Sequence, residues 1–252
     1  MIKIKNIIDF FETFAPTESA MDFDNVGLLV GDKNTAVTKV LLALDITAEV
    51  VLEAEKLGCE LIISHHPVIF SPLKKLDKNS VVYLLAQKNI SALCMHTNLD
   101  LSTKLGVNTC LANAVGIKNP VLSVTGECLF YGQLESELSM EDFVRNCKSA
   151  LDCNGLRYSD SKKLVKTIAV SSGSGGSNIF AAAKLGADVL VTGEIKHHEI
   201  NAANELGVNI VDVGHFKSED IVILPLINML SAEFLDITFT KSTVYSDKIK
   251  YL

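Results

Sequence analysis

Short runs rich in Val, Ile and Leu alternate along this chain with amphipathic stretches of helical period, and no other feature restricts the fold so strongly. The spacing predicts strands at 39–44, 61–64 and 92–95, with helices at 48–57, 80–88 and 106–115. The second half keeps the rhythm. Strands are expected near 128–134, 165–171, 188–192, 208–213 and 236–240, and helices near 139–151, 177–185, 198–206 and 218–233. Apolar strands connected by helices are what a sheet covered on both faces needs, and a helical crossover makes neighbouring strands mostly parallel. Ahead of this block, Ile4, Ile7, Ile8, Phe11 and Phe14 fall on one helical stripe, and 27–31 reads as a short strand. The expected class is α/β.

A repeat lies under the alternation. Leu57-Gly58-Cys59-Glu60-Leu61-Ile62-Ile63-Ser64 matches Leu185-Gly186-Ala187-Asp188-Val189-Leu190-Val191-Thr192 position by position in residue type. Upstream, Lys39-Val40-Leu41-Leu42-Ala43 has its counterpart in Lys166-Thr167-Ile168-Ala169-Val170, and downstream each copy has a strand that ends in histidine, His96 and His215. Matched spacing of this kind indicates two similar α/β lobes related by internal duplication. The expected boundary is near 118–127, where Lys118-Asn119-Pro120 breaks the pattern. That places a first lobe at 1–125, to which the C-terminal strand at 235–252 can return, and a second at 126–252. Gly173-Ser174-Gly175-Gly176-Ser177 follows a strand and opens a helix. It lacks the lysine and spacing of a P-loop and reads as a tight turn, with an anion cradle on its amides as the alternative.

Composition excludes several classes. The 252 residues carry 23 Lys+Arg against 30 Asp+Glu, a net charge of −7, and no basic run interrupts that acidity. A duplex nucleic-acid footprint is therefore not expected. The apolar stretches fall well short of the ~18–20 residues of a membrane span, and Met1–Asn6 lacks the charged and apolar regions of a signal peptide. The expected location is the cytoplasm, with no membrane partner. Six cysteines include no C-x-x-C pair, and Cys59 and Cys94 sit in apolar runs, so buried reduced thiols are expected rather than a disulfide framework or a zinc–thiolate site.

The histidines carry the chemistry. There are six, and each lies at or just beyond an apolar strand: His65 and His66, His96, His197 and His198, and His215. A single histidine there is usually structural. All six at the strand ends where open α/β sheets bind their ligands point to a site. Asp100 and Glu219 each lie four residues past a strand-end histidine, His96 and His215. Imidazole and carboxylate ligands without cysteine suit Zn²⁺, Fe²⁺, Mn²⁺ or Ni²⁺. Five such ligands exceed the needs of one tetrahedral ion and suit two divalent ions bridged by a carboxylate, an arrangement used for hydrolytic displacement. His96 and Glu194 stand beside these ligands as candidates to orient them or to act as general acid or base. Asp45 is expected to support the same sheet edge, and Asp24 and Asn25 to fix a loop.

At these residues the chain is recognisable. Ile63-Ser64-His65-His66-Pro67, Met95-His96-Thr97-Asn98-Leu99-Asp100, Gly214-His215-Phe216-Lys217-Ser218-Glu219 and Asp24-Asn25-Val26-Gly27-Leu28 together resemble the GTP cyclohydrolase I type 2, or Nif-three-like, family, over about residues 4–245. The resemblance implies two α/β lobes with a dinuclear metal site in the cleft between them, and a toroidal homohexamer. It also implies His65, His66, Asp100, His215 and Glu219 as the ligands. Phe23 stands where the family commonly has Trp, and the length is that of the short form without the inserted middle domain.

Two functions follow as expectations. The first is a dinuclear metal-dependent hydrolase acting through activated water on a small molecule, with a nucleotide and a GTP cyclohydrolase-like activity in view. The alternative is a ring-forming, non-catalytic metal-binding or interaction scaffold.

Overall fold

The computed structural model describes residues 1–125 and 127–252, and these form two compact units. The first comprises Met1–Leu99 and Ile223–Ser246, the second Asp100–Val222 and Asp247–Leu252.

The first unit is built on a five-stranded sheet. Its strands are β1 (Gly27–Val30), β2 (Lys39–Ala43), β3 (Leu61–Ser64), β4 (Ser91–Cys94) and β11 (Thr238–Lys241), ordered β1-β4-β3-β2-β11. All pairings are parallel except β1 with β4. The predicted helices are present at Ala48–Leu57 and Val81–Lys88, N-capped by the hydroxyls of Thr47 and Ser80. Leu41, Ala43, Ile62 and Ala92 point to one face of the sheet and pack with Val50, Val51 and Ala54 of the first of these helices. The intervening Val40, Leu42, Leu61, Ile63 and Leu93 are equally buried, so both faces are covered, and this is why these strands read as unbroken apolar runs. The N-terminal stripe forms the helix Ile4–Phe11, which buries Ile4, Ile7 and Phe11.

The second unit has six strands: β5 (Val121–Leu122), β6 (Phe130–Leu138), β7 (Arg157–Tyr158), β8 (Val165–Ser171), β9 (Val189–Thr192) and β10 (Asn209–Asp212), ordered β5-β6-β8-β9-β10-β7. Period-two alternation again covers both faces. Ile168, Val170, Val189, Val191 and Val211 join one core, while Ala169, Leu190 and Ile210 join another.

The duplication is visible in the topology. In the first unit β2, β3 and β4 are consecutive parallel neighbours, with β1 antiparallel outside β4. In the second, β8, β9 and β10 repeat this arrangement, with β7 antiparallel outside β10. The repeated Leu-Gly step ends a helix at a left-handed glycine in both copies, Gly58 at φ 70° and Gly186 at φ 71°. The acidic residue that follows does the same work twice. Glu60 accepts from the amides of Thr38 and Lys39, both at 3.0 Å, and Asp188 from those of Lys166 and Thr167 at 2.9 and 2.8 Å. Each carboxylate closes the open start of the neighbouring strand.

Two expectations need correction. The units divide at Leu99/Asp100 and Val222/Ile223, not near 118–127. Helix Val107–Ala114 adds Leu111 and Ala112 to the core containing Phe130 and Phe143, which ties 100–125 to the second unit. β11 pairs in register with β2, Thr238 opposite Lys39, which returns that strand to the first unit, while 247–252 belong to the second. The helix expected at 218–233 is a short helix, His215–Glu219, then a 3₁₀ turn, Asp220–Val222, and then Ile223–Glu233. Among the described residues, no helix is long and apolar enough to cross a membrane.

Candidate metal centre

In the first unit the ends of β3 and β4 bring three imidazoles together. The rings of His65, His66 and His96 lie 5.0 to 5.5 Å apart centroid to centroid, and each offers a ring nitrogen within 4.8 Å of the other two. Parallel pairing in register, Ser64 opposite Cys94, makes the two strands end side by side and delivers His65 and His96 to one edge.

Each ring is fixed through Nδ1. His65 donates to the carbonyl of Met95 at 2.9 Å, His66 to Asp45 Oδ1 at 3.0 Å and His96 to Asp24 Oδ1 at 2.9 Å. These bonds place the proton on Nδ1 and leave the Nε2 lone pair for a ligand, the tautomer that a metal-binding histidine with an anchoring partner adopts. The anchors are themselves held: Tyr245 donates to Asp45, and Thr97 donates to Asp24 through both its amide and its hydroxyl. Burial works to raise the Asp24 pKa, but the bonds from His96 and Thr97 outweigh it and hold this carboxyl well below the usual range.

In the second unit the decisive element is the helix that starts at His215. Gly214, at φ 85°, turns the chain off β10, and one helical turn puts His215 and Glu219 on the same face. His215 Nε2 lies 3.0 Å from Glu219 Oε2, and His215 Nδ1 donates to Glu194 Oε1 at 2.8 Å. The bond to the buried Glu219 carboxylate, resisted by burial, raises the His215 pKa to about 9. The same negative field attracts a divalent cation. Glu194 is lowered, first by the bond it accepts from Ser174 and then by His215. Asp100, at the end of the short helix Thr97–Asp100, is buried, and Ser172 Oγ donates to it at 3.4 Å.

The loop after β8 gathers these carboxylates. Gly173 sits at φ +56°, and a Cβ there would lie 2.1 Å from Glu219 Oε1 and 3.3 Å from His215 Nε2. Its amide donates to Ser218 Oγ at 2.9 Å and that of Ser172 to Asn108 Oδ1 at 2.8 Å. These two amides are engaged within the chain, and Gly175–Asn178 continues the loop as a 3₁₀ turn. The donor chemistry, all imidazole nitrogen and carboxylate oxygen, fits a borderline divalent metal ion, and no cysteine joins it. The six cysteines are free thiols, and burial pushes Cys59 and Cys110 up to about 11 and Cys147 to about 12.

A model of the family described as Duf34/NIF3 (NGG1p interacting factor 3) matches residues 2–250. The chain belongs to this family. A curated relative, the "GTP cyclohydrolase 1 type 2 homolog" of Clostridium perfringens, is 34% identical over 264 aligned residues spanning the whole of both chains. Among solved structures, the Staphylococcus aureus hypothetical protein SA1388 superposes with a TM-score of 0.90 at 31% identity, covering 99% of each chain. Reduced HcgD from Methanocaldococcus jannaschii matches with a TM-score of 0.83 at 30% identity, over 95% of this chain and 97% of its own.

Of the candidates read from the sequence, His65 and His66 follow β3, Asp100 and Glu219 end short helices, and His215 opens the second of these. Asp45 and Glu194 bond to His66 and His215, and Asp24, expected to fix a loop, holds the His96 ring. His96 stands in the imidazole trio itself. His197 and His198 open the helix His197–Leu206 and are both exposed. Gly173 and Ser172 were missed as parts of the site. Their one sequence signal was a glycine two residues past a strand end in a chain whose other strand ends carry candidate ligands.

Proposed function

We propose that this protein is a dinuclear metal-dependent hydrolase in which His65, His66, Asp100, His215 and Glu219 hold two divalent ions. What carries the reading is the way the candidate histidines are presented. His65, His66 and His215 each have Nδ1 bonded to a carbonyl or carboxylate, so that Nε2 is the coordinating atom. Bound metal would supply Lewis acidity and a water of lowered pKa.

The chain's own residues do the rest. Asp45 holds the His66 ring and Glu194 the His215 ring, while Gly173 leaves room for Glu219. His96, bonded to Asp24, and Glu194, bonded to Ser174, are the groups placed to accept or return a proton near the reacting atoms. The name of the curated relatives supports a nucleotide substrate, with ring opening by addition of water at the imidazole C–H carbon of GTP as the candidate reaction. A cytoplasmic homohexamer completes the proposal.

A second reading, a ring-shaped metal-binding scaffold without turnover, is favoured by the family description, which names an interacting factor. Metal content and turnover separate the two. The hydrolase should carry two ions per chain after reconstitution, lose activity on chelation and regain it with metal, and scatter light as about six times 27.3 kDa. Two ions with no turnover across a panel of nucleotides and phosphoesters would leave the scaffold. No bound metal would remove both.

A further inference from the structure

Two phenylalanines stand in solvent beside the imidazole trio. Phe23 is 63% exposed and Phe70 54%, and their rings contact each other at a centroid distance of 6.5 Å with a tilt of 47°. Exposed aromatic side chains on a loose loop would carry no message, but these are held in place. Phe23 directly precedes Asp24, whose buried carboxylate accepts from His96 and Thr97. Asn25 donates to the carbonyl of Ile69 at 2.6 Å, which ties the turn carrying Phe23 to the loop carrying Phe70. The fold thus fixes two apolar π-faces in water, on a turn bonded to one of the candidate site's histidines. Leaving such surface uncovered is unfavourable, which marks it as a place where something binds.

We propose that Phe23 and Phe70 form the stacking surface for the base of the substrate nucleotide, a purine on the reading given above, on which this inference rests. Phosphate oxygens or metal ligands recognise the charged end of a nucleotide, but only a π-face or base-edge hydrogen bonds recognise its ring. Stacking on aromatic side chains meets that need without a dedicated set of donors.

The chain contains no Trp, so Phe23→Trp introduces a single reporter at the surface in question. In zinc-loaded protein, guanosine monophosphate should quench that tryptophan saturably, and ribose 5-phosphate should not. Adding Phe70→Ala should weaken guanosine monophosphate binding roughly tenfold to a hundredfold, the usual range for loss of one stacking partner. Calorimetry on the double variant Phe23→Ala/Phe70→Ala should show the same loss with zinc content unchanged. Equal responses to both ligands, or no saturable quenching, would overturn the proposal. So would a tryptophan signal that changes on dilution without nucleotide, which would assign the surface to a second copy of the chain. A loss of zinc in the double variant would mark the pair as scaffolding and overturn it too. Binding is read here without turnover, so protein that stacks guanosine monophosphate but hydrolyses nothing removes only the hydrolase reading.

Discussion

Gly173 shows how narrowly single residues set this site. Its left-handed backbone, at φ +56°, is strained for any side chain, and a Cβ would sit 2.1 Å from Glu219 Oε1. Gly173→Ala therefore has to displace the carboxylate or the loop. Metal affinity should fall roughly tenfold to a hundredfold, as it does when a ligand loses its support, while the backbone strain costs only about 1–2 kcal/mol of stability. Zinc titration beside a thermal melt separates these effects. An unchanged affinity would show that Gly173 serves the turn and not the site. Glu219 itself distinguishes bridging from simple coordination. As a bridge it screens the repulsion between two cations, so Glu219→Gln should weaken both binding events, whereas His65→Ala, losing an imidazole that serves one ion, should keep one site near native. Calorimetric titration of both apo variants gives the answer, and two near-native sites in Glu219→Gln would exclude bridging.

At the scale of the element, the repeated strand–helix–strand step has an electrostatic clasp that tests easily. Burial works to raise the Glu60 pKa, but the amides of Lys39 and Thr38 and the Thr38 hydroxyl outweigh it and hold it below its ordinary 4.5. A carboxyl whose pKa is depressed on folding contributes stability above its unfolded pKa and loses that contribution as pH falls through the folded value. Glu60→Gln should accordingly be destabilised by about 1 kcal/mol at pH 7, a modest figure for a partly exposed charged hydrogen bond. The gap to wild type should close as pH falls from 4.5 through the lower folded-state value. Urea melts across that range check it, and a gap that persists in acid would assign the effect to packing. The short helix His215–Glu219 is the element that periodicity could not place. Its five residues carry no apolar stripe of their own, and it begins where a glycine at φ 85° leaves β10. Within it, the Ser218 hydroxyl donates to the His215 carbonyl and accepts from the Gly173 amide.

For the molecule as a whole, bound metal should act as a folding ligand. A site filled at a hundred times its Kd adds about 2.7 kcal/mol, which for a chain of this length raises Tm by roughly 5–10 °C. Chelation should remove that increment and re-addition restore it. A melt indifferent to chelator would show that the ligand residues do not bind metal in the folded state.

Much of this molecule was legible in advance, because α/β architecture writes itself into hydrophobic period. Strands covered on both faces must be apolar throughout, as 40–43, 61–63 and 189–191 are, and helices such as Ala48–Leu57 are delimited by a capping hydroxyl and a left-handed glycine. The candidate ligands were legible for a related reason: in-register parallel strands end together, so residues just past their ends meet whatever their separation along the chain. Tertiary structure alone decided the rest. The crossing of the chain between units at Leu99 and Val222 depends on which sheet edge accepts β11, and a parallel edge at β2 leaves no local trace in residues 223–246. The roles of Gly173, Asp24 and Asp45 depend on single contacts across 20 to 80 positions of sequence, with Glu219, His96 and His66. Local propensity and period follow from a residue's neighbours in the chain, whereas a hydrogen bond or a close approach follows from its neighbours in space.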